Sequence, residues 1–424
     1  MEDIKIISRF PKGVITPPPS KSLTHRAVIC ASLAQGESVI ENFSRSLDTE
    51  ATIRGVEALR GVDTDICGDT LRVARSAGEP DASRDSVRTV DCGESGSTLR
   101  FLLPIAALDE RQTIFTGHGR LLDRPLGAYA QIFPEMGALL IRAPERIVAR
   151  GRLKSGVYNL PGDVSSQFVS GLLFALPLLE GDSEIRLTTQ LESAQYVDLT
   201  IDIMRRFGVE VGRSAAGYMV KGGANYRPTA CRIETDYSQA AFFLASAALG
   251  CDVRVAGLNP DSLQGDMAIL RVLRDMGAEV LWSEDGEGRK IVSIDADLLS
   301  PITVDAREIP DLVPPIATLC CFCDGVSRIV NAGRLRLKES DRLSALRTEL
   351  SALGANIEES GDSLVITGVS GLKGGHADSW GDHRIAMSMA LAAIRCDEPV
   401  LLSGWQSVNK SYPGFWRDFE GDRS

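Results

Sequence analysis

Hydrophobic and polar residues alternate along the chain with a repeat of roughly seventy residues. Each repeat begins with a polar cluster, continues into a run of small and apolar residues of helical length, and then breaks. These runs end, in order, near Gly36, Asp109, Gly181, Gly250, Gly325 and Asp397. Because the runs keep nearly one spacing, chance is a poor explanation, and the pattern predicts six copies of one supersecondary unit.

A second marker lies between these runs, an amphipathic segment that ends in Gly followed by Val or Ala. It occurs at Gly61-Val62, Gly137-Ala138, Gly208-Val209, Gly277-Ala278 and Gly354-Ala355. A glycine in that place is typical of a helix end. Hairpin signals follow several of the markers, around Ala215–Gly217, Asp285-Gly286 and Gly361-Asp362. The unit is therefore predicted to contain an apolar helix, an amphipathic helix and a β-hairpin.

The apolar helices are predicted to lie inside the protein. Segments such as Phe168–Leu179 and Ala240–Leu249 are apolar on nearly every face. Such helices are buried all round, so we expect the sheets to lie outside them. The sixth hairpin is missing near Phe419, and we expect a strand around Ile4–Ile7 to take its place. Both termini would then belong to one domain.

Composition and charge narrow the class of protein. Apolar residues make up 44% and charged residues 24% of the chain, as in ordinary globular proteins. The net charge of −11 argues against a nucleic-acid partner. The longest apolar stretch, Val169 to Leu179, is too short to cross a bilayer, and the N-terminus does not read as a signal peptide. The histidines show no metal-ligand spacing, so we expect a cytoplasmic enzyme or binding protein without a metal or other cofactor.

The polar clusters in front of the apolar helices repeatedly contain cations. The clusters are Ser20-Lys21-Ser22 with Arg26, Gly93-Glu94-Ser95-Gly96-Ser97 with Arg100, Ser165-Ser166-Gln167, Asp236-Tyr237-Ser238-Gln239, Asp311, and Asp382-His383-Arg384. Helix N-termini bind anions through their unpaired N–H groups and the helix dipole. Capping by Ser and Asp is the plainer alternative, but it does not account for Lys21, Arg26 or Arg384, because cations oppose the dipole there. The clusters therefore predict an anion-binding cleft.

The charged run 334–342 also places cations beside an acid. Its start alternates like a strand, and the leucines beyond it continue as a helix. Lys338 and Glu339 would lie at the junction, where side chains can reach a cleft, whereas Arg336 is interpreted as a solvated charge. With Asp311, Glu339 gives the cleft two candidate acid/base carboxylates.

Six motifs then occur in order over nearly the whole chain, from about residue 17 to Lys410. They are Ser20-Lys-Ser-Leu-Thr-His-Arg26, Glu94-Ser-Gly-Ser-Thr-Leu-Arg100, Leu122-Asp-Arg-Pro-Leu126, Val164-Ser-Ser-Gln167, Leu337-Lys-Glu-Ser-Asp-Arg342 and Gly381-Asp-His-Arg384. As a set they resemble the 5-enolpyruvylshikimate-3-phosphate synthase family of enolpyruvyl transferases. The resemblance implies an α/β fold, a two-domain inverse α/β barrel with three βαβαββ repeats in each domain, buried helices and outer sheets. One domain would comprise residues 17–231, and the other residues 1–16 with 232–424.

The resemblance also implies a reaction and a set of site residues. The enolpyruvyl group of phosphoenolpyruvate would be transferred to the 5-hydroxyl of shikimate 3-phosphate, with release of phosphate. The residues implied for shikimate 3-phosphate are Lys21, Ser22, Arg26, Ser165, Ser166, Gln167, Ser193, Tyr196, Asp311 and Lys338. Those implied for phosphoenolpyruvate are Lys21, Gly96, Arg124, Gln167, Arg342, Arg384 and Lys410. Catalysis would depend on Asp311, Glu339 and Lys21, in a monomer whose two domains share one cleft.

Proton transfer in that reaction is assigned by the same motif match. Glu339 is expected to donate a proton to C3 of phosphoenolpyruvate, and Asp311 to orient or deprotonate the 5-hydroxyl. Two positions depart from the family pattern, since many members have Asn at Glu94 and Asn is usual at Arg334. The contributions of these two residues stay open.

Two alternatives remain at this point. The first is the sister enolpyruvyl transferase that acts on UDP-N-acetylglucosamine, which places a reactive Cys where this chain has Gly119. The second is a non-catalytic repeat scaffold that binds anions. Such a scaffold would need neither Asp311 nor Glu339.

Overall fold

The computed structural model describes residues 4–76 and 86–421 of the chain. The α-helices in these residues are α1 Lys21–Leu33, α2 Leu47–Arg60, α3 Gly96–Ala106, α4 Gly127–Glu135, α5 Ser166–Ala175, α6 Ala194–Arg206, α7 Tyr237–Ala248, α8 Ile269–Asp275, α9 Val313–Cys320, α10 Arg342–Ala352, α11 His383–Ala393 and α12 Phe415–Glu420. Short 3-10 helices cover Leu121–Asp123, Leu176–Leu178, Gly265–Ala268, Gly333–Leu337 and Trp405–Lys410.

The strands are short and lie between the helices along the chain. They are β1 Ile4–Ile7, β2 Gly13–Ile15, β3 Ser38–Glu41, β4 Val62–Cys67, β5 Thr70–Arg75, β6 Arg88–Asp91, β7 Thr113–Thr116, β8 Ala138–Ala143, β9 Arg146–Gly151, β10 Val157–Leu160, β11 Ser183–Leu187, β12 Val211–Ser214, β13 Gly217–Val220, β14 Ala230–Arg232, β15 Val253–Ala256, β16 Glu279–Glu284, β17 Lys290–Asp295, β18 Thr303–Asp305, β19 Val326–Val330, β20 Asn356–Ser360, β21 Ser363–Thr367, β22 Gly375–Asp378 and β23 Val400–Ser403.

The chain divides into two compact units, residues 19–233 and residues 1–18 with 234–424. The unit of residues 19–233 contains four-stranded sheets in the orders β14-β3-β5-β4, β6-β7-β9-β8 and β10-β11-β13-β12. In each sheet the first pair is parallel and the others are antiparallel. Strand, helix, strand, helix and hairpin thus follow one another, which is the predicted βαβαββ repeat. β14 is the first strand of its sheet although it is the last strand of this unit along the chain.

The other unit follows the same plan, but two of its strands, β1 and β2, come from the N-terminal segment. Its sheets have the orders β16-β17-β15-β2, β18-β19-β21-β20 and β1-β23-β22. The last sheet contains no hairpin among the described residues. Instead β1 pairs antiparallel with β23, with Ile4 opposite Ser403 and Ile7 opposite Val400. The prediction that the N-terminal strand takes the place of the missing hairpin is confirmed.

Each unit has its own hydrophobic core, built around the apolar helices. α7 and α11 are buried at every residue, and strands such as β6 alternate between buried and exposed positions. One face of each such strand therefore packs inward while the other meets solvent. The predicted arrangement of buried helices under outer sheets is confirmed. Within the described part of the chain, no helix has the length and the apolar character needed to cross a membrane.

The predicted helix ends are also confirmed. Gly61, Gly137, Gly208, Gly277 and Gly354 follow the amphipathic helices, and all have positive φ angles between 59° and 106°. Side chains with a Cβ rarely adopt this left-handed region, which is why Gly marks these positions.

The strand predicted over 334–337 is wrong, because these residues belong to the 3-10 helix Gly333–Leu337. Asn331 adopts a positive φ of 58° directly after β19, which turns the chain out of the sheet. The N–H of Leu335 then donates to the carbonyl of Ala332 at 2.9 Å. The alternation of Arg and Leu over these four residues belongs to a short 3-10 helix, in which side chains do not alternate between two faces.

Candidate active site

The predicted site residues fall into two groups, one in each unit. The N-terminal cluster lies in residues 19–233 and comprises Lys21, Ser22, Arg26, Gly96, Arg124, Ser165, Ser166, Gln167, Ser193 and Tyr196. The C-terminal cluster lies in the other unit and comprises Asp311, Lys338, Glu339, Arg342, Arg384 and Lys410. Helix N-termini contribute to both groups, and hydrogen bonds between helices hold their side chains in place.

Lys21 is the first residue of α1 and is paired with an acid, Asp48, that is not among the predicted site residues. Ser20 caps the helix, and Lys21 Nζ lies 2.7 Å from Oδ2 of Asp48. The two side chains are only 16% and 10% exposed. Asp48 occupies the first turn of α2, where the helix dipole favours an anion. Its charge offsets the unfavourable position of the lysine at the start of α1.

Arg26 ties α1 to α6, the helix that begins next to Ser193. Its guanidinium donates to Oγ1 of Thr200 and to the carbonyl of Tyr196, each at 2.8 Å, and to the carbonyl of Ser22 at 2.7 Å. Burial lowers the pKa of Arg26 to about 10, so the side chain is still a cation at neutral pH. The bonds fix the first turn of α6.

Ser193, just before α6, has a φ of 55° and is buried. Positive φ is uncommon for a residue with a Cβ. Strained backbone of this kind is often retained where a side chain must meet a ligand. The side chain makes no capping hydrogen bond to α6, so helix capping does not account for this conformation.

Gln167 joins α5 to α3, near Gly96. Ser165 caps α5 through the N–H of Gln167, and Ser166 is the first helical residue. The Gln167 side chain donates to Oγ of Ser97 at 2.9 Å and accepts from Arg100 at 2.7 Å. Arg100 belongs to one of the six motifs and to a predicted polar cluster, and its bond to Gln167 connects two of these clusters.

Gly96 leaves room for two guanidinium groups. A Cβ at this position would lie 2.6 Å from Nη1 of Arg124 and 3.5 Å from Nη1 of Arg100. Both arginines are largely buried. The glycine therefore permits a concentration of positive charge at the N-terminus of α3, where an anion is favoured.

Arg342 is the centre of the C-terminal cluster. It is 1% exposed and donates to Asp382 at 2.8 Å, to Asp311 at 2.9 Å and to Glu339 at 2.7 Å. Burial alone would lower its pKa, but the three carboxylates raise it above its usual value. Asp382 is fully buried and was quoted only as part of a motif. One guanidinium thus holds both candidate acid/base carboxylates.

Asp311 lies just before α9 among three cations. Its carboxylate accepts from Lys338 at 3.3 Å, from Arg342 at 2.9 Å and from Arg384 at 3.1 Å. Burial alone would raise the pKa of Asp311, but the charges of Arg384, Lys338 and Arg342 lower it well below the ordinary value. The group is therefore a carboxylate at neutral pH. Burial in turn lowers the pKa of Lys338, an effect that Asp311 partly offsets.

Arg384 and Lys410 complete the C-terminal cluster. Asp382 caps α11 through the N–H of Arg384, and the Arg384 side chain donates to Oγ of Ser238 on α7 at 2.9 Å. Lys410 Nζ donates to the carbonyl of Gly381 at 2.5 Å. Among the described residues, no group of three or more His, Cys, Asp or Glu is placed to hold a metal ion.

The remaining arginines of the charged run form bonds with residues outside the C-terminal cluster. Arg334 donates to the carbonyl of Arg307 at 2.6 Å. Arg336 pairs with Glu359 at 2.6 Å, and 30% of its side chain is exposed. The interpretation of Arg336 as a solvated charge is therefore incomplete, because it forms a partly exposed ion pair.

A pH dependence follows from the ion pairs of Asp311. Because its pKa is lowered in the folded protein, the carboxylate contributes stability above its ordinary pKa of 3.8, and this stability is lost as the pH falls further. We expect Asp311→Asn to lower the free energy of unfolding by about 3 kcal/mol at pH 7. The difference from the wild type should narrow below pH 4, as measured by urea unfolding at successive pH values. A difference that stays constant down to pH 3 would contradict the assignment.

Comparison with known proteins identifies relatives over nearly the whole length. The model of the EPSP synthase (3-phosphoshikimate 1-carboxyvinyltransferase) family matches residues 6–419. The 3-phosphoshikimate 1-carboxyvinyltransferase of Clostridium novyi is 45% identical over 99% of this chain and 97% of that protein. The enzyme of the same name from Clostridium acetobutylicum is 44% identical, with the same coverage of both chains.

Solved structures agree with this relationship. The EPSP synthase from Acinetobacter baumannii superimposes with a TM-score of 0.78 at 25% identity, covering 99% of this chain and 97% of that one. The enolpyruvyl transferase NikO from Streptomyces tendae gives a TM-score of 0.76 at 16% identity, again over 99% and 97% of the two chains. At that identity the second likeness shows the fold alone.

Proposed function

The chain belongs to the EPSP synthase family, an enzyme family that transfers the enolpyruvyl group of phosphoenolpyruvate to the 5-hydroxyl of shikimate 3-phosphate, and we propose that the N-terminal and C-terminal clusters carry out this reaction. The observation that supports the proposal most is the contact of Arg342 with both Asp311 and Glu339. Two carboxyl groups held by one buried guanidinium, beside further cations, suit a reaction of anionic substrates that needs a proton donor and a proton acceptor.

We propose that the two carboxyl groups divide the proton transfers. Glu339 gives a proton to C3 of phosphoenolpyruvate while the 5-hydroxyl attacks C2. Asp311, ionised among its cations, orients or deprotonates that hydroxyl. The tetrahedral intermediate then loses phosphate from C2 and a proton from its C3 methyl group, which a carboxylate of the cluster accepts, and the C2–C3 double bond of the enolpyruvyl ether forms. Arg342 is proposed to have two roles. It holds both carboxylates in place, and it contacts phosphoenolpyruvate.

Both substrates carry phosphate and carboxylate groups, so the site must offset their mutual repulsion. Lysine and arginine side chains do so, and arginine matches planar anions with two donors. We propose that the shikimate 3-phosphate residues are Lys21, Ser22, Arg26, Ser165, Ser166, Gln167, Ser193, Tyr196, Asp311 and Lys338. The phosphoenolpyruvate residues are proposed to be Lys21, Gly96, Arg124, Gln167, Arg342, Arg384 and Lys410.

The geometry around Gly119 disfavours the sister reaction on UDP-N-acetylglucosamine. Gly119 has a φ of 59°, and a Cβ there would lie 2.5 Å from Oε2 of Glu94. A reactive Cys at this position would therefore be strained and would displace the carboxylate. The wild-type residue has no side chain that could form a covalent adduct.

An assay of phosphate release tests the proposed reaction. We expect release from phosphoenolpyruvate when shikimate 3-phosphate is present, and none when UDP-N-acetylglucosamine is added instead. Release that depends on the nucleotide sugar, or no release with either acceptor, would overturn the proposal. We further propose that the enzyme acts as a monomer in the cytoplasm, on these two small molecules, without a metal or other cofactor and without a nucleic-acid or membrane partner.

Substitution of Gly96 tests the phosphoenolpyruvate assignment. In Gly96→Ala the added methyl group would meet Nη1 of Arg124 at 2.6 Å, so the guanidinium must shift. We expect the Ki of glyphosate, a phosphonate analogue of phosphoenolpyruvate, to rise at least about tenfold more than the KM of phosphoenolpyruvate. Inhibition curves at several phosphoenolpyruvate concentrations measure both constants. An equal rise in the Ki of glyphosate and in the KM of phosphoenolpyruvate would refute the steric argument.

A further inference from the structure

A strained turn precedes α11, the helix that contains Arg384. The N–H of Asp382 donates to the carbonyl of Ser379 at 2.8 Å. The two central residues, Trp380 and Gly381, have φ angles of 54° and 62°. Positive φ at both positions is the pattern of a type I′ turn, which strongly favours Gly, Asn or Asp. A bulky aromatic residue at the first of these positions is a conformational outlier.

Hydrogen bonds, and not burial, hold Trp380 in this conformation. The residue is 40% exposed, yet Nε1 donates to Oε1 of Glu349 at 2.6 Å. The other oxygen of Glu349 accepts from the N–H of Asp378 at 2.9 Å. The N–H of Trp380 in turn donates to the Asp378 side chain. Glu349 therefore clamps both ends of the segment that enters the turn.

The two residues after Trp380 contact two cations of the C-terminal cluster and cap the helix that contains the third. The carbonyl of Gly381 accepts from Lys410 at 2.5 Å. Asp382 accepts from Arg342 at 2.8 Å and from the N–H of Arg384 at 2.9 Å. The turn thus positions the oxygen atoms that Lys410 and Arg342 contact, and the start of the helix from which Arg384 extends. All three cations are assigned above to phosphoenolpyruvate.

We propose that Trp380, clamped by Glu349, is a positioning residue for phosphoenolpyruvate binding. The proposal rests on the proposed function, because it takes the assignment of Lys410, Arg342 and Arg384 to that substrate as given. The strained tryptophan is retained because its indole N–H anchors a turn that a more flexible residue would leave free to move. The Trp380 side chain does not contact the substrate in this proposal. It fixes the turn, and the turn positions Lys410.

Three substitutions test this role through the separate Michaelis constants of the two substrates. Trp380→Phe removes only the bond to Glu349. Glu349→Gln leaves a single acceptor oxygen for the two N–H donors. Trp380→Gly removes the anchor and also the strain, since glycine adopts positive φ freely. Trp282→Phe, a half-buried indole on β16 of the same unit, is the matched control.

We expect the KM of phosphoenolpyruvate to rise about threefold in Trp380→Phe and Glu349→Gln and about tenfold in Trp380→Gly. The KM of shikimate 3-phosphate should stay within about twofold in all three variants. The control should change neither constant. Equal changes in both constants, or a lower Tm with unchanged constants, would overturn the proposal. An inactive wild type would instead refute the proposed function.

Discussion

Replacement of Glu339 by Gln is expected to lower kcat by about a thousandfold, because general acid catalysis by one side chain contributes roughly 10²–10⁴ in rate. Glutamine has the same shape and can still accept from Nη2 of Arg342, which Glu339 does at 2.7 Å. It has no proton to give to C3 of phosphoenolpyruvate. The loss should therefore appear in kcat while the KM values of both substrates change little. Steady-state phosphate release at saturating substrates measures it.

The matched control for this variant is Glu359→Gln. Glu359 also pairs with an arginine of the same unit, Arg336, at 2.6 Å, but it lies outside the C-terminal cluster. Its replacement should leave kcat within about twofold, because it takes no part in the proposed proton transfer. The stability should also change little, since ion pairs near the surface contribute little to the free energy of unfolding. If Glu339→Gln retained the wild-type kcat, Glu339 would not be the proton donor. A non-catalytic scaffold would then be the better account of the clusters.

Replacement of Arg342 by Met should be the most destabilising single change in the C-terminal cluster. The variant leaves Asp382, which is fully buried, and the partly buried Asp311 and Glu339 without their shared guanidinium. Removing one partner of a buried ion pair typically costs about 3–5 kcal/mol. We expect a loss of that size in the free energy of unfolding, together with the loss of measurable phosphate release. Urea unfolding at pH 7 gives the first quantity.

Arg336→Met is the control for charge removal from the same segment. Its side chain is 30% exposed, and we expect a cost below about 1 kcal/mol. The cost of Arg342→Met should fall toward low pH. Burial alone would raise the pKa of Asp382, and the charge of Arg342 lowers it, so protonation of Asp382 relieves the variant. A cost below 1 kcal/mol at pH 7 for Arg342→Met would show that the carboxylates find other partners.

The repeat and the helix ends could be predicted because they depend on local chemistry. The apolar run at Ala240–Leu249 predicts a buried helix, and α7 is buried throughout. Gly277 and Gly354 predict helix ends, since only glycine adopts their positive φ without cost. The missing sixth hairpin predicted that the N-terminal strand takes its place, and β1 does so by pairing with β23.

The side-chain partners could not be predicted because they depend on contacts between distant segments. Asp48 lies 27 positions from Lys21, and its neighbourhood in the sequence shows only an ordinary helix cap. Asp382 lies 40 positions from Arg342, so the sequence shows a run of charges without showing which acid is buried beside which base. The strand predicted for Arg334–Leu337 is wrong for a different reason. Alternation over only four residues fits a short 3-10 helix as well as a strand.

Phosphate release by two single variants, one from each cluster, tests the central claim that both clusters serve one reaction. With phosphoenolpyruvate and shikimate 3-phosphate, we expect the wild type to release phosphate, and Lys21→Met and Glu339→Gln each to lose at least about a hundredfold in rate. Lys21 lies in one unit and Glu339 in the other. Wild-type rates in either variant, or release that does not require shikimate 3-phosphate, would contradict the account.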